Sequence, residues 1–127
     1  MARVKTDALR DWIEDAGTPL ERRALILQGP NGSPNAYVGV PEDSLLAGKS
    51  YDDMPLDVHG GLTFASEGHG PWPKGWFWYG WDYSHAGDFL AFAPHLGGRQ
   101  WTVEDIEAET REAMKQLGKM LAEVMCD

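Results

Sequence analysis

The sequence predicts a single α+β domain over residues 1–127, with an antiparallel sheet of about four strands. A long C-terminal helix and a shorter N-terminal helix pack against it. Three observations predict this. Helical apolar spacing is confined to the two ends of the chain. Thirteen of the fifteen glycines and seven of the eight prolines fall between Gly29 and Gly98. The short apolar runs of that middle region are bounded by turn residues. Elements of both kinds bury their apolar faces most simply by laying helices on one sheet.

The N-terminal helix is expected over Thr6–Ala16, where Leu9, Trp12, Ile13 and Ala16 share one face. Arg10, Asp11, Glu14 and Asp15 occupy the other, and Gly17 followed by Thr18-Pro19 supplies the stop. Arg23–Gln28 (RALILQ) reads as a strand ending at the turn cluster Gly29-Pro30-Asn31-Gly32, and Ala36–Val40 (AYVGV) as its return. From Glu42 to Pro55 periodicity is lost, with one helical turn expected at Asp43–Ala47. Leu56–Ala65 resumes strand character, broken at Gly60-Gly61 by a bulge or a tight turn.

Seven of the fourteen aromatic residues lie between Trp72 and Tyr83. In a strand, Trp76 and Trp78 face one way and Phe77, Tyr79 and Trp81 the other, the pattern of a central strand covered on both faces. Core packing is thus the expected role of most of this run; Trp72, between Pro71 and Pro73, is the aromatic expected to be exposed. The final helix opens at Trp101-Thr102, with Thr102 and Asp105 as a capping box. Ile106, Thr110, Ala113, Leu117, Met120, Leu121 and Val124 line its inner stripe. Glu104, Glu107 and Glu109 sit at its positive end and Lys115 and Lys119 nearer its negative end.

Composition narrows the function. A chain of 127 residues buries enough surface to need no disulfide or structural metal, and the single Cys126 excludes a disulfide within it. No apolar run is long enough to span a bilayer and the N-terminal residues are charged, so a reducing cytoplasm is the expected setting. Eleven basic against twenty acidic residues give a net charge of −9. Phosphate-rich partners are gripped by Lys and Arg, so neither nucleic acid nor an anionic membrane is an expected partner. A small-molecule ligand or a host protein is, and self-association into a homo-oligomer is left open.

No P-loop, G-x-S-x-G, paired C-x-x-C or H-E-x-x-H pattern occurs. Two polar stretches remain, His59-Gly60-Gly61-Leu62-Thr63 and Asp82-x-x-His85-x-x-Asp88. Meeting in one cleft, they offer a ligand-binding set of His59, Gly60, Gly61, Thr63, Asp82, His85 and Asp88, with Trp72 as a stacking plate. The glycine amides would form an anion nest. His59, Asp82, His85 and Asp88 alone would also serve as mixed N/O ligands for a divalent transition metal such as Zn²⁺, Mn²⁺ or Fe²⁺, leaving a water position open. The structural alternatives are plain. Asp82 and Asp88 cap turns, His85 bonds a loop carbonyl, and the glycines serve a bulge. Thr63, or Ser84 beside His85, as a nucleophile would need a neighbouring base. His69 and His95 are expected to be solvated, and the acids Glu42, Asp43, Asp52, Asp53 and Asp57, facing only Lys49, form either a solvated loop or a partner-facing patch.

The stretches YVGVPEDSLLAGKSYDDMPLDVHGGLTF and WFWYGWDYSHAGD, with the Trp-Thr-led final helix, resemble a family of small phage- and prophage-encoded proteins. The family carries VHGGLTF and D-x-x-H-x-GD motifs, and the likeness covers Tyr37 to Asp88 plus the helix. Its members often place Cys before the second motif's His, where this chain has Tyr83 and Ser84. Where they have His and Pro before a Leu, it has Asp43, Ser44 and Leu45. The resemblance implies the cytoplasm of an infected bacterium and no particular reaction. The expected function is therefore a phage-type accessory protein that binds a small, nucleotide-like ligand, for example to sequester a host defence signal. A metal-dependent hydrolase built on His59, Asp82, His85 and Asp88 is one alternative, and an acidic inhibitor of a host protein, acting through Asp52 and Asp53, is the other.

Overall fold

The computed structural model describes residues 2–3, 7–29, 33–83 and 97–125. Six strands form one antiparallel sheet: β1 (Ala2–Arg3), β2 (Arg10–Glu14), β3 (Arg22–Gln28), β4 (Pro34–Pro41), β5 (Phe64–Glu67) and β6 (Trp76–Asp82), in spatial order β1-β2-β3-β4-β6-β5. One helix, α1 (Val103–Met125), lies across one face. No helix among the described residues is long and apolar enough to cross a membrane.

The expected hairpin is present, with β3 and β4 in a register that sets Leu25 opposite Tyr37 and Ala24 opposite Val38. The aromatic strand is β6, held between β4 and β5 as its two-sided apolar pattern requires. Its Phe77, Tyr79 and Trp81 join Trp12, Ala24, Ile26, Val38 and Val40 beneath Ile106, Ala113, Met114, Leu117 and Leu121 of the helix. Trp76 and Trp78 join Leu25 and Tyr37 on the other face. At the helix start the capping box is reciprocal: Asp105 N donates to Thr102 Oγ1 at 3.1 Å and Thr102 N donates to Asp105 Oδ2 at 3.2 Å.

The N-terminal helix is corrected. Residues 10–14 form β2, paired with β3 so that Trp12 opposes Ala24 and Asp11 opposes Leu25. Trp12 reaches the helix-covered core, while Asp11, on the other face, accepts two bonds of 2.8 Å from the Arg23 guanidinium. A bidentate partner of this kind lets a carboxylate sit in a buried strand position. The helical reading took Asp11 as solvent-facing, and that inverts the pattern. With β1 and β2 added, the sheet has more than the four strands expected.

Between β4 and β5 the chain forms a strap over residues 42–58. It contains a bonded turn, in which Ala47 N donates to Ser44 O at 3.0 Å, and a 3-10 turn at Tyr51–Asp53. Its Leu46, Met54 and Leu56 are buried in the core under the helix. The Tyr79 hydroxyl donates to Leu46 O at 2.6 Å and accepts from Lys49 N at 3.2 Å. The glycines after the strap make a turn and no strand bulge.

Candidate functional site

The turn Val58–Gly61 is closed by Gly61 N donating to Val58 O at 2.9 Å. Gly60 at φ 71° and Gly61 at φ 80° occupy conformations that side-chain-bearing residues adopt only under strain. This turn delivers His59 to the end of β6, where its ring stacks on Tyr83 with centroids 4.9 Å apart and planes 5° apart. Trp101, just before the helix, packs on both rings at 4.8 and 5.0 Å. The Tyr83 hydroxyl accepts from Trp81 Nε1 at 3.0 Å and donates to Glu109 Oε1 at 2.6 Å. A chain of polar contacts thus links the aromatic strand to the helix.

Beside this stack lies a cleft of about 430 Å³, lined by Asp57, Val58, His59, Glu109, Glu112 and Gln116. Glu109, Glu112 and Gln116 share one stripe of the helix, and Gln116 fixes the opposite wall. Its Oε1 accepts from Asp57 N at 2.7 Å and its Nε2 donates to Asp57 O at 3.0 Å. Three carboxylates and one imidazole make the cleft suited to a cation or to hydrogen-bond donors. A phosphate would meet repulsion there.

The described residues among those singled out from sequence fall on both faces of the sheet. The Gly61 amide, half of the expected anion nest, is engaged within the turn, and Thr63 N is donated to Gly80 O at 2.9 Å. Strand alternation sends Asp82 to the face opposite Tyr83 and the His59 stack. On that face burial raises the Tyr37 pKa above 10.0, and the Asp82 carboxylate adds to the effect. Trp72 is also on that face. It is half-buried, stacked on Phe64 at 4.8 Å and edge-on to Tyr37 at 5.6 Å. Its indole N–H is buried, with no acceptor in full bonding geometry among the described residues and the Tyr37 hydroxyl as its polar neighbour. Trp72 therefore covers part of the second apolar cluster, and the expectation that it is exposed is corrected. His69 is exposed, its Nδ1 lying 3.0 Å from Glu67 O.

Ser84, His85, Asp88, His95 and Cys126 lie outside the described residues. Among the described residues no three His, Cys, Asp or Glu side chains come together as a metal-binding group. Of the expected ligand set, His59 stacks on Tyr83 and the Asp82 carboxylate acts on Tyr37.

The acidic segment takes a different form from a loose loop. Glu42, Asp43, Asp52, Asp53 and Asp57 are all exposed on the strap, whose buried Leu46, Met54 and Leu56 hold it to the core. Lys49 is the only basic residue of that segment. Every arginine whose side chain is described lies 2.6 to 3.8 Å from a carboxylate outside it. Arg10 meets Glu104 and Glu107, Arg22 meets Glu14 and Asp15, Arg23 meets Asp11, Arg99 meets Asp105, and Arg111 meets Glu107. These pairs leave the negative charge of the strap uncompensated by the described arginines.

Tyr83, Trp101, Glu109, Glu112 and Gln116 were not foreseen as site residues. The helical spacing of the last three was legible as a shared stripe, but the strap that faces them is a long-range contact. Comparison of the chain with family models, curated proteins and solved structures finds no match to any of them.

Proposed function

We propose that this protein acts by binding, and that its partner presents a basic surface to the acidic strap. The observation that carries this reading is the anchoring of the strap. Five exposed carboxylates project from a segment pinned by three buried apolar side chains and by the Tyr79 and Gln116 hydrogen bonds. A segment whose backbone is already anchored loses less conformational freedom on association than a loose loop. Charge complementarity of this kind steers encounter and excludes like-charged partners. An inhibitor that masks a basic host surface is the form of binding that best fits a net charge of −9.

The test is calorimetric titration with an oligo-arginine peptide at about 0.1 and 1 M salt, between which the screening length falls from about 10 to about 3 Å. Binding is expected at the lower salt, lost at the higher, and weakened several-fold in the double variant Asp52→Asn/Asp53→Asn. Binding that ignores both salt and those two charges contradicts the proposal.

The cleft beside His59 favours a second reading, a small ligand. Its volume of about 430 Å³ falls within the range of about 300–1,000 Å³ usual for such sites. Asp57, Glu109 and Glu112 turn its preference from a nucleotide toward a cationic ligand. Titration with spermidine and with a cyclic dinucleotide separates the two: heat from spermidine alone, lost in Glu109→Gln/Glu112→Gln, is the expected result. Heat from the dinucleotide alone returns the reading to a nucleotide ligand. The hydrolase reading has no such support among the described residues.

A further inference from the structure

At the far end of the helix a second concavity, of about 340 Å³, opens between the Thr18-Pro19 turn, the start of the strap and the last turn of α1. Pro41, Leu45, Leu121 and Met125 form its apolar walls, and Glu21 and Asp43 are its charged members. Leu45 is 72% exposed and Met125 50% exposed, the two most exposed large apolar side chains among the described residues. Neither is needed to fill the core, whose cluster under the helix is closed by Leu46 and Leu121.

We propose that this groove seats a large apolar side chain from a basic partner segment, one flanked by Lys or Arg. The proposal rests on the reading of the strap as a surface for basic partners and extends it. Asp43 and Leu45 belong to the strap, so the groove is continuous with the acidic array. Among the described residues no Lys or Arg lines the groove, while two carboxylates do. A cation beside the inserted side chain therefore finds a counter-charge on either wall. A second copy of the chain does not fit this pattern, because two chains of charge −9 would bring acidic rims together. An apolar anchor in a pocket with charge at its rim is how small interfaces concentrate their affinity.

The experiment uses fluorescence anisotropy with three labelled helical peptides. The first carries Leu and Trp on one face and Lys and Arg on the other. In the second the apolar face is Gln, and in the third the basic face is Glu. The first is expected to bind at least tenfold more tightly than the other two. Leu45→Ser/Met125→Ser, which alters exposed side chains and leaves the thermal midpoint unchanged, is expected to weaken it about tenfold. Equal binding of the first two peptides, or wild-type affinity in the Leu45→Ser/Met125→Ser variant, overturns the groove. A free protein that sediments as a dimer and becomes a monomer on Leu45→Arg also overturns it, since the occupant is then a second copy. The strap is read separately through the Gln-faced peptide. If Asp52→Asn/Asp53→Asn abolishes that weaker binding while Leu45→Ser/Met125→Ser leaves the first peptide at wild-type affinity, the strap reading stands and the groove fails. If the first peptide binds through Leu45 and the Gln-faced peptide does not bind at all, the groove stands and the strap reading fails.

Discussion

Asp57 and Gln116 clasp one another in both directions, the side-chain amide of Gln116 accepting from the Asp57 amide at 2.7 Å and donating to its carbonyl at 3.0 Å. This pair ties the end of the acidic strap to the middle of the helix. Gln116→Ala is expected to cost about 1 kcal/mol, since exposed hydrogen bonds contribute about 0.5–1.5 kcal/mol each at most. The more telling readout is local. Amide exchange at Asp57 is expected to quicken more than global stability predicts. Unchanged exchange there would mean that the clasp does not hold the strap.

Arg22 and Gly118 form a second such dependence. Arg22 Nε donates to Met114 O at 2.7 Å and its Nη1 to Asp15 at 2.6 Å and Leu20 O at 2.9 Å. A Cβ on Gly118 would stand 2.8 Å from the guanidinium carbon. Gly118→Ala is therefore expected to destabilise, although Ala gains about 1 kcal/mol over Gly in a helix interior. In an Arg22→Met background the same substitution is expected to be neutral or stabilising. Denaturant titration of the four proteins gives the coupling; simple additivity would refute it.

Asp11 and Arg23 are 4% and 7% exposed and bonded to one another by both guanidinium arms. Removing one partner of a buried pair strands the other charge, at about 3–5 kcal/mol. Asp11→Ala is expected to lose that much, measured by urea unfolding. A loss below about 1 kcal/mol, the scale of an exposed pair, would place Asp11 in solvent and would speak against β2.

Tyr79 supplies a pH dependence. Burial pushes its hydroxyl from 10.0 up to about 12. The folded state thus holds this proton more tightly than the unfolded chain. The sign is that of a raised group: its stabilisation is complete below pH 10 and is lost as pH rises toward about 12. Unfolding free energy measured across that window is expected to fall more steeply in the wild type than in Tyr79→Phe. Parallel curves would contradict it.

Much of the fold was legible because its signals are local. The RALILQ/AYVGV hairpin, the alternating aromatics of β6 and the Thr102–Asp105 cap are each set within a few residues. β2 was not legible, because Leu9, Trp12, Ile13 and Ala16 fit a helical stripe as well as Trp12 fits a strand. The partner that lets Asp11 be buried is twelve residues away in sequence. Trp72 looked exposed among prolines. The loop folds back, with Gly68 N donating to Trp76 O at 3.0 Å and Trp78 Nε1 to Pro73 O at 3.0 Å. The acid content of the strap could be read directly. Its anchoring could not, since Leu46, Met54 and Leu56 are aperiodic and meet their partners only in the folded sheet.

The most direct measurement is amide NMR of the labelled protein during titration with the oligo-arginine peptide. The account predicts that the largest shifts fall on residues 42–58, centred on Asp52 and Asp53. Shifts confined to other surfaces, with the strap unmoved, would contradict it.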